Sequence, residues 1–286
     1  MQIRKTGVVG CGTMGAGIAQ VFAQSGYEVI VLEVEEERLK KGLSSIDFFL
    51  RKGVEKGKLT EAEKVAILTR IKGTTEYNNL KDCDLIIEAV DEDMSLKKHI
   101  FKTLNQVCSA HTILATNTSS LSVIDMACVT NRPDKLLGLH FMNPVPLMKL
   151  LEIVRSIATS EETFQTCKVF GESLGKTIIV AKDRPGFIVN FLQYPFRLHA
   201  IRMLESGVAT REDIDAAATL GLGHPMGPLA LQDLVGLDVT YAGALATYEA
   251  TKDPMFFPPV LMQKMVAAGW LGRKTGKGFY EYEKKK

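Results

Sequence analysis

Gly10-Cys-Gly12-Thr-Met-Gly15 constrains this chain more than any other stretch, because it joins a short β-branched run, Lys5–Val9, to a helical pattern over 16–24. In a GxGxxG turn of this kind the first glycine permits the tight bend and the second lets the backbone approach a pyrophosphate. The third lets helix and strand pack closely, while the helix N-terminal amides face the anion. About 20 residues further on, where such a unit carries an acid for the adenosine ribose, stands Glu33, at the end of the run Glu28–Leu32. Glu33 also opens Glu33-Val-Glu-Glu-Glu37, a negative rim that repels a 2′-phosphate, and no arginine follows the acid directly. The pattern points to NAD rather than NADP. A plain tight turn beside helix-solvating glutamates accounts for each piece but leaves their order to chance.

With 286 residues, 46% hydrophobic and 24% charged, the chain can build one large or two smaller cores. Its 35 basic and 33 acidic residues are well mixed and leave a net charge of +2, so no footprint for nucleic acid stands out. Lys284 to Lys286 read as a solvated end. The five cysteines, Cys11, Cys83, Cys108, Cys128 and Cys167, form no CxxC pair or metal-spaced cluster, which suits reduced thiols. No signal-peptide pattern and no apolar stretch of about 18 residues is present, so the expectation is a soluble, cytoplasmic protein with no membrane partner.

Short β-branched runs alternate with helical patterns through the first two-thirds of the chain, the signature of a parallel sheet wrapped by helices. Expected strands are Lys5–Val9, Glu28–Leu32, 84–89, 112–116, Leu136–Phe141, 148–154 and 176–180. Two amphipathic helices are expected as an insertion near 35–72, separated around Gly53 and Gly57. After Lys182-Asp-Arg-Pro-Gly186 strand signals almost vanish. Thr210-Arg-Glu-Asp213 then has the form of a capping box opening a helix that stops at Gly221. The expected fold is α/β: a Rossmann-type doubly wound sheet over 1–184, followed by an all-helical domain over 185–286. Gly272-Arg-Lys-Thr-Gly-Lys-Gly278 lacks the leading glycine and the Ser/Thr of a phosphate loop and reads as a turn.

Ligands of a doubly wound sheet gather outside the carboxyl ends of its strands. That edge carries Gly10–Gly15, Glu33, Glu92, Asn117 with Ser119, and His140. His140 alone among them titrates ordinarily near neutrality. Ser119 and Ser120 also suit a helix cap, and Glu92 a surface acid. Strand alternation in Met148-Lys-Leu-Leu-Glu-Ile-Val-Arg155 puts Glu152 on the face opposite Lys149 and Arg155, so its most economical partner is a histidine on a neighbouring element. His140 ends the preceding strand. Such a pair serves equally as a general-base dyad or as a structural hydrogen bond.

Several segments in order resemble the 3-hydroxyacyl-CoA dehydrogenases, of the single-function (S)-3-hydroxybutyryl-CoA type. They are Val8-Val-Gly-Cys-Gly-Thr-Met-Gly-Ala-Gly-Ile-Ala-Gln20, Ala115-Thr-Asn-Thr-Ser-Ser120, Gly138-Leu-His-Phe-Met-Asn-Pro-Val-Pro146, Pro185-Gly-Phe-Ile-Val-Asn190, His224-Pro-Met-Gly-Pro228 and Gly269-Trp-Leu-Gly-Arg-Lys-Thr-Gly-Lys-Gly-Phe-Tyr280. The resemblance implies His140 as catalytic base and Glu152 as its orienting carboxylate. Ser119, Asn143 and Asn190 would position substrate and dyad, and Lys52 and Lys56 would meet the coenzyme A phosphates. Cofactor contacts are implied at Gly10, Gly12, Thr13, Met14, Gly15, Glu33, Glu92, Asn117 and Asn143. It further implies an acyl-CoA substrate, NAD as cofactor, and a homodimer or higher homo-oligomer formed through the C-terminal domain. A sugar-acid (gulonate-type) dehydrogenase and a non-catalytic NADH-binding structural protein are the alternatives. Phe191 departs from the family, which continues with arginine after Asn190, and this puts the packing of that helix in question.

Overall fold

The computed structural model describes residues 2–283, so the expected solvated end at 284–286 lies outside the described residues. The chain divides between Asp183 and Arg184 into two units. In the first unit, eight strands among the described residues form one sheet: β1 (Lys5–Val9), β2 (Glu28–Leu32), β3 (Ile71–Thr74), β4 (Leu85–Glu88), β5 (Ile113–Thr116), β6 (Leu136–Phe141), β7 (Leu150–Arg155) and β8 (Thr177–Lys182). Their spatial order is β3-β2-β1-β4-β5-β6-β7-β8. The first six follow the order of a dinucleotide-binding doubly wound sheet.

All pairs from β3 to β6 are parallel, whereas β7 runs antiparallel to β6. That reversal breaks the simple parallel pattern expected from sequence, and it sets His140 directly opposite Glu152. Strand β3, absent from the sequence expectations, is a four-residue edge strand whose Lys72 and Gly73 dilute the β-branched signal.

Among the described residues six α-helices flank the sheet: α1 (Thr13–Gln24), α2 (Glu36–Glu55), α3 (Glu61–Thr69), α4 (Met94–Val107), α5 (Val123–Ala127) and α6 (Glu161–Ser173). Their starts have local causes. Thr60 and Glu63 make a reciprocal capping box before α3, and Asp93, Ser122 and Ser160 cap α4, α5 and α6. Gly53 lies inside α2, and the break before α3 comes at Gly57, whose φ of +66° suits glycine. Phe22 of α1 meets Phe170 of α6 edge-on at 5.0 Å and Phe141 of β6 at 6.1 Å, tying two helices to one strand.

Four thiols sit in this packed interior. Burial, with Glu33 adding to it, pushes Cys11 up to about 11. Burial also raises Cys108 to about 11 and Cys83 and Cys167 to about 12, while Cys128 is exposed. Since the thiolate is the reactive species, iodoacetamide is expected to label the folded protein at Cys128 alone, with peptide mass spectrometry as the check. Comparable labelling at Cys11 would contradict this packing.

The second unit contains α7 (Val189–Glu205), α8 (Arg211–Ala216), α9 (Pro228–Val235), α10 (Leu237–Thr251) and α11 (Val260–Ala267). Leu198, Ile201, Leu229, Leu237, Phe256 and Met262 form its core. Buried Asp233 accepts from the amides of Phe279 and Tyr280 and from the Tyr282 hydroxyl, which anchors residues 279–282. The 272–278 segment is a short turn closed by the Gly272–Lys277 bridge. Phe191 answers the packing question raised by the missing arginine: its ring packs tilted against Phe256 with centroids 4.7 Å apart, and the Arg184 guanidinium lies 4.2 Å from its centroid.

Candidate active site

The nucleotide loop begins where strand order reverses, between β1 and β4. Gly10 has φ +96°, and a Cβ there would meet the Ala89 carbonyl oxygen at 2.8 Å. A Cβ on Gly15 would stand 1.9 Å from the Gly10 carbonyl oxygen, so only glycine lets α1 pack this tightly on the turn. Gly12 has the opposite surroundings: nothing lies within 4 Å of its Cβ position. It is also the N-cap of α1 and supplies no capping side chain, leaving the first-turn amides to an anion. At the end of β2, Glu33 accepts from the Cys11 amide at 3.0 Å and the Val34 amide at 2.9 Å.

Open space before Gly12, uncapped amides and an acid at the ribose position fit a dinucleotide. The groove, about 760 Å³, is lined by Gly10, Gly12, Thr13, Met14 and Glu33, together with Tyr77. Arg38 and Lys41, cations absent from the sequence expectations, line it too, and Arg38 is engaged by Glu35 at 3.2 Å.

Two strands further along, His140 Nδ1 and Glu152 Oε2 are 2.6 Å apart, with Glu152 wholly buried and His140 6% exposed. Pairing of β6 with β7 builds this contact, because directly opposed residues of an antiparallel pair share one face. An Nδ1–H donated to the carboxylate leaves Nε2 with its lone pair, so the imidazole can accept a proton there. The side-chain oxygen of Asn117, just past β5, accepts from the Phe141 amide at 2.9 Å and ties that strand end to the histidine strand.

Next to Asn117 the chain turns through 118–120 around Glu92. Its Oε1 accepts from the Thr118 hydroxyl at 2.5 Å, the Ser119 amide at 3.0 Å and the Ser120 amide at 3.2 Å. Burial pushes the Glu92 carboxyl up, but the Lys97 ammonium and these hydrogen bonds outweigh it and hold the group below the ordinary carboxylate range. Glu92 is therefore a loop anchor, and the cap of α5 is Ser122, with the Asp183 carboxylate accepting from the Val123 and Ile124 amides.

The other predicted residues are placed less closely. Asn143 follows β6 in a loop held by Lys176, whose Nζ donates to the Val145 and Met148 carbonyls at 2.7 Å each. Lys52 sits in the last turn of α2, bonded to Glu55 at 2.8 Å, and Lys56 is the residue just past that helix. Neither lines the nucleotide groove. Asn190 is the second residue of α7, in the helical unit.

Sequence reasoning missed Glu88 and Lys97, a buried ion pair at 2.6 Å. Both left a trace: Glu88 interrupts the apolar run Leu85–Glu88, and Lys97 falls in register with buried Ile100, Phe101 and Leu104 along α4.

Comparison with known proteins gives a family to this geometry. Residues 5–184 match the model of the 3-hydroxyacyl-CoA dehydrogenase NAD binding domain, and 186–282 match that of the family's C-terminal domain. The 3-hydroxybutyryl-CoA dehydrogenase of Clostridioides difficile is 47% identical over 98% of this chain and 100% of its own. The mitochondrial hydroxyacyl-coenzyme A dehydrogenase of Sus scrofa is 42% identical over 98% of this chain and 92% of its own. Among solved structures, (S)-3-hydroxybutyryl-CoA dehydrogenase PaaH1 from Ralstonia eutropha superposes with a TM-score of 0.96 at 43% identity, covering 99% of this chain and 100% of that one. M. tuberculosis FadB2 superposes with a TM-score of 0.97 at 45% identity and the same coverage. The chain belongs to the 3-hydroxyacyl-CoA dehydrogenase family, an oxidoreductase whose first unit is an NAD-binding domain.

Proposed function

We propose that this enzyme interconverts (S)-3-hydroxybutyryl-CoA and acetoacetyl-CoA, with His140 as the acid-base group and Glu152 as its orienting carboxylate. The 2.6 Å contact between His140 Nδ1 and Glu152 carries the reading. In the oxidation direction His140 Nε2 takes the proton of the C3 hydroxyl. In reduction the imidazolium returns it to the oxygen at C3. The groove lined by Gly10, Gly12, Thr13, Met14 and Glu33 would hold NAD, which would supply the hydride chemistry: NAD+ as acceptor in oxidation and NADH as donor in reduction. Glu152 holds the ring in one orientation and tautomer and offsets the positive charge that forms on it, the arrangement general-base dyads use elsewhere.

Ser119, Asn143 and Asn190 position substrate and dyad, the roles that the family resemblance implies for them. Lys52 and Lys56 meet the coenzyme A phosphates, an assignment supported by their place at one end of α2. The protein acts in the cytoplasm as a homodimer or higher homo-oligomer through its helical domain; no helix among the described residues is long and apolar enough to cross a membrane. Exposed Leu192, Leu220, Leu222 and Val239 in that domain suit such an interface.

Purified protein given acetoacetyl-CoA or gulonate, with NADH absorbance followed, tests the substrate. Turnover with acetoacetyl-CoA and none with gulonate is expected; the reverse would replace this reading with the sugar-acid one. Tight NADH binding without turnover of either would point to the structural role. The acidic Glu33 facing the ribose end is expected to make kcat/KM with NADH exceed that with NADPH by at least about tenfold, since opposed like charges cost several kcal/mol. Equal use of both cofactors would show that Arg38 and Lys41 cancel it.

A further inference from the structure

Three charged side chains meet where β4 ends and α4 begins. Glu88 and Lys97 are buried to 0% and 1% side-chain exposure, and no ligand contact assigned above needs either of them. Burying two such charges is strongly unfavourable unless each is paired and hydrogen-bonded. Here the pairing is complete. Glu88 Oε1 accepts from Lys97 Nζ at 2.6 Å and from the Val90 amide at 2.8 Å, and its Oε2 accepts from the Thr116 hydroxyl at 2.8 Å. Lys97 Nζ also reaches Glu92 Oε2 at 3.3 Å and the Val90 carbonyl at 3.3 Å. One ammonium therefore serves two carboxylates.

The second of these, Glu92, turns its other oxygen to the loop. Glu92 Oε1 takes the Thr118 hydroxyl, the Ser119 and Ser120 amides, the Ser120 hydroxyl at 3.2 Å and the Ser119 hydroxyl itself at 3.4 Å. A chain of contacts thus runs from inside the sheet to the residue read above as a substrate contact. We propose that Glu88 and Lys97 are positioning residues for the reaction: their buried ion pair pins Glu92, and Glu92 fixes where the Ser119 hydroxyl stands.

The cost of the arrangement favours this over packing alone. An apolar pair of the same volume would fill the space between β4 and α4 at least as stably. It could not hold an ionised carboxylate in place against five loop donors. Hydrogen bonds to a charged acceptor are roughly twice as strong as neutral ones, so the loop conformation depends on Glu92 staying charged and still. Lys97 supplies both conditions.

The inference rests on the substrate role of Ser119, so the test separates the two. Acetoacetyl-CoA reduction is measured for S119A, K97M and S119A/K97M. Misplacing a reacting contact by about 1 Å costs on the order of 100-fold, so K97M is expected to lose about 10- to 100-fold in kcat/KM. In the S119A background the same change should cost less than about threefold, because the hydroxyl it positions is gone. Losses that multiply in the double variant would overturn the inference. Wild-type turnover by S119A would instead overturn the role of Ser119.

Because K97M leaves two carboxylates facing each other, E88Q/K97M is made in parallel to remove that repulsion. Its Tm is expected to recover toward wild type while its kcat/KM stays low and insensitive to S119A. Recovery of both Tm and full activity would show that the triad serves stability only.

Discussion

His140→Gln is expected to lower kcat for acetoacetyl-CoA reduction by about 10²- to 10⁴-fold, the range that a positioned acid-base group contributes. Glutamine keeps similar bulk at the end of β6 and can still donate a hydrogen bond to Glu152, so the buried carboxylate is not left unpartnered. It has no group that exchanges a proton near neutral pH. NADH affinity, followed by fluorescence titration, should stay within about threefold of wild type, because the histidine does not line the nucleotide groove. A variant that turns over at near wild-type rate would remove His140 from the chemistry and leave its contact with Glu152 as packing.

Glu152→Gln is the second large effect, and its cause differs. The amide fits the same volume but carries no charge, and it can present NH₂ as well as oxygen to His140 Nδ1. If NH₂ faces the ring, the proton moves to Nε2 and the histidine can no longer accept the substrate proton there. In either orientation the imidazolium loses the anion 2.6 Å from it. Changes of this type at an orienting carboxylate reach about 10⁴-fold elsewhere, and a loss of at least about 10²-fold in kcat is expected here. The decisive comparison is with His140→Gln/Glu152→Gln. If the two residues act as one unit, the double variant is no worse than His140→Gln alone. Multiplying losses would mean that Glu152 has a separate role.

Much of the site was legible along the chain because it is built from short-range rules. The glycine spacing at Gly10–Gly15 needs only the geometry of a turn entering a helix, and both positive φ at Gly10 and the close approach at Gly15 follow from it. Glu152 was legible from a period of two: its neighbours in sequence point the other way, so an acid inside a strand had to find its partner across the sheet. The same question put to Glu88 would have uncovered the ion pair with Lys97, since an acid closing Leu85–Glu88 is no less anomalous. Lys97 was hidden by composition. Lys97 and Lys98 look alike in a list, and only the helical phase, with Ile100, Phe101 and Leu104, separates the buried lysine from its more exposed neighbour.

Other features could not be read at any distance along the chain. That Glu92, an acid still 37% exposed at its side chain, also anchors a loop depended on residues 118–120, some 26 positions away, and on which strand follows which in the sheet. Asp183 reached the amides of Val123 and Ile124 across about 60 residues, leaving Ser122 to be recognised as the local cap. Phe191 appeared as a lost arginine until the ring was seen in contact with both Arg184 and Phe256.

By itself the sequence determined the local turn, the alternation of strands and helices, and the need of His140 and Glu152 for partners, because dihedral preference and side-chain period act over a few residues. Only the tertiary structure decided which partners they took. Pairing β6 antiparallel to β7 in one register sets His140 opposite Glu152, and a slip of one residue would have turned the glutamate to the other face of the sheet.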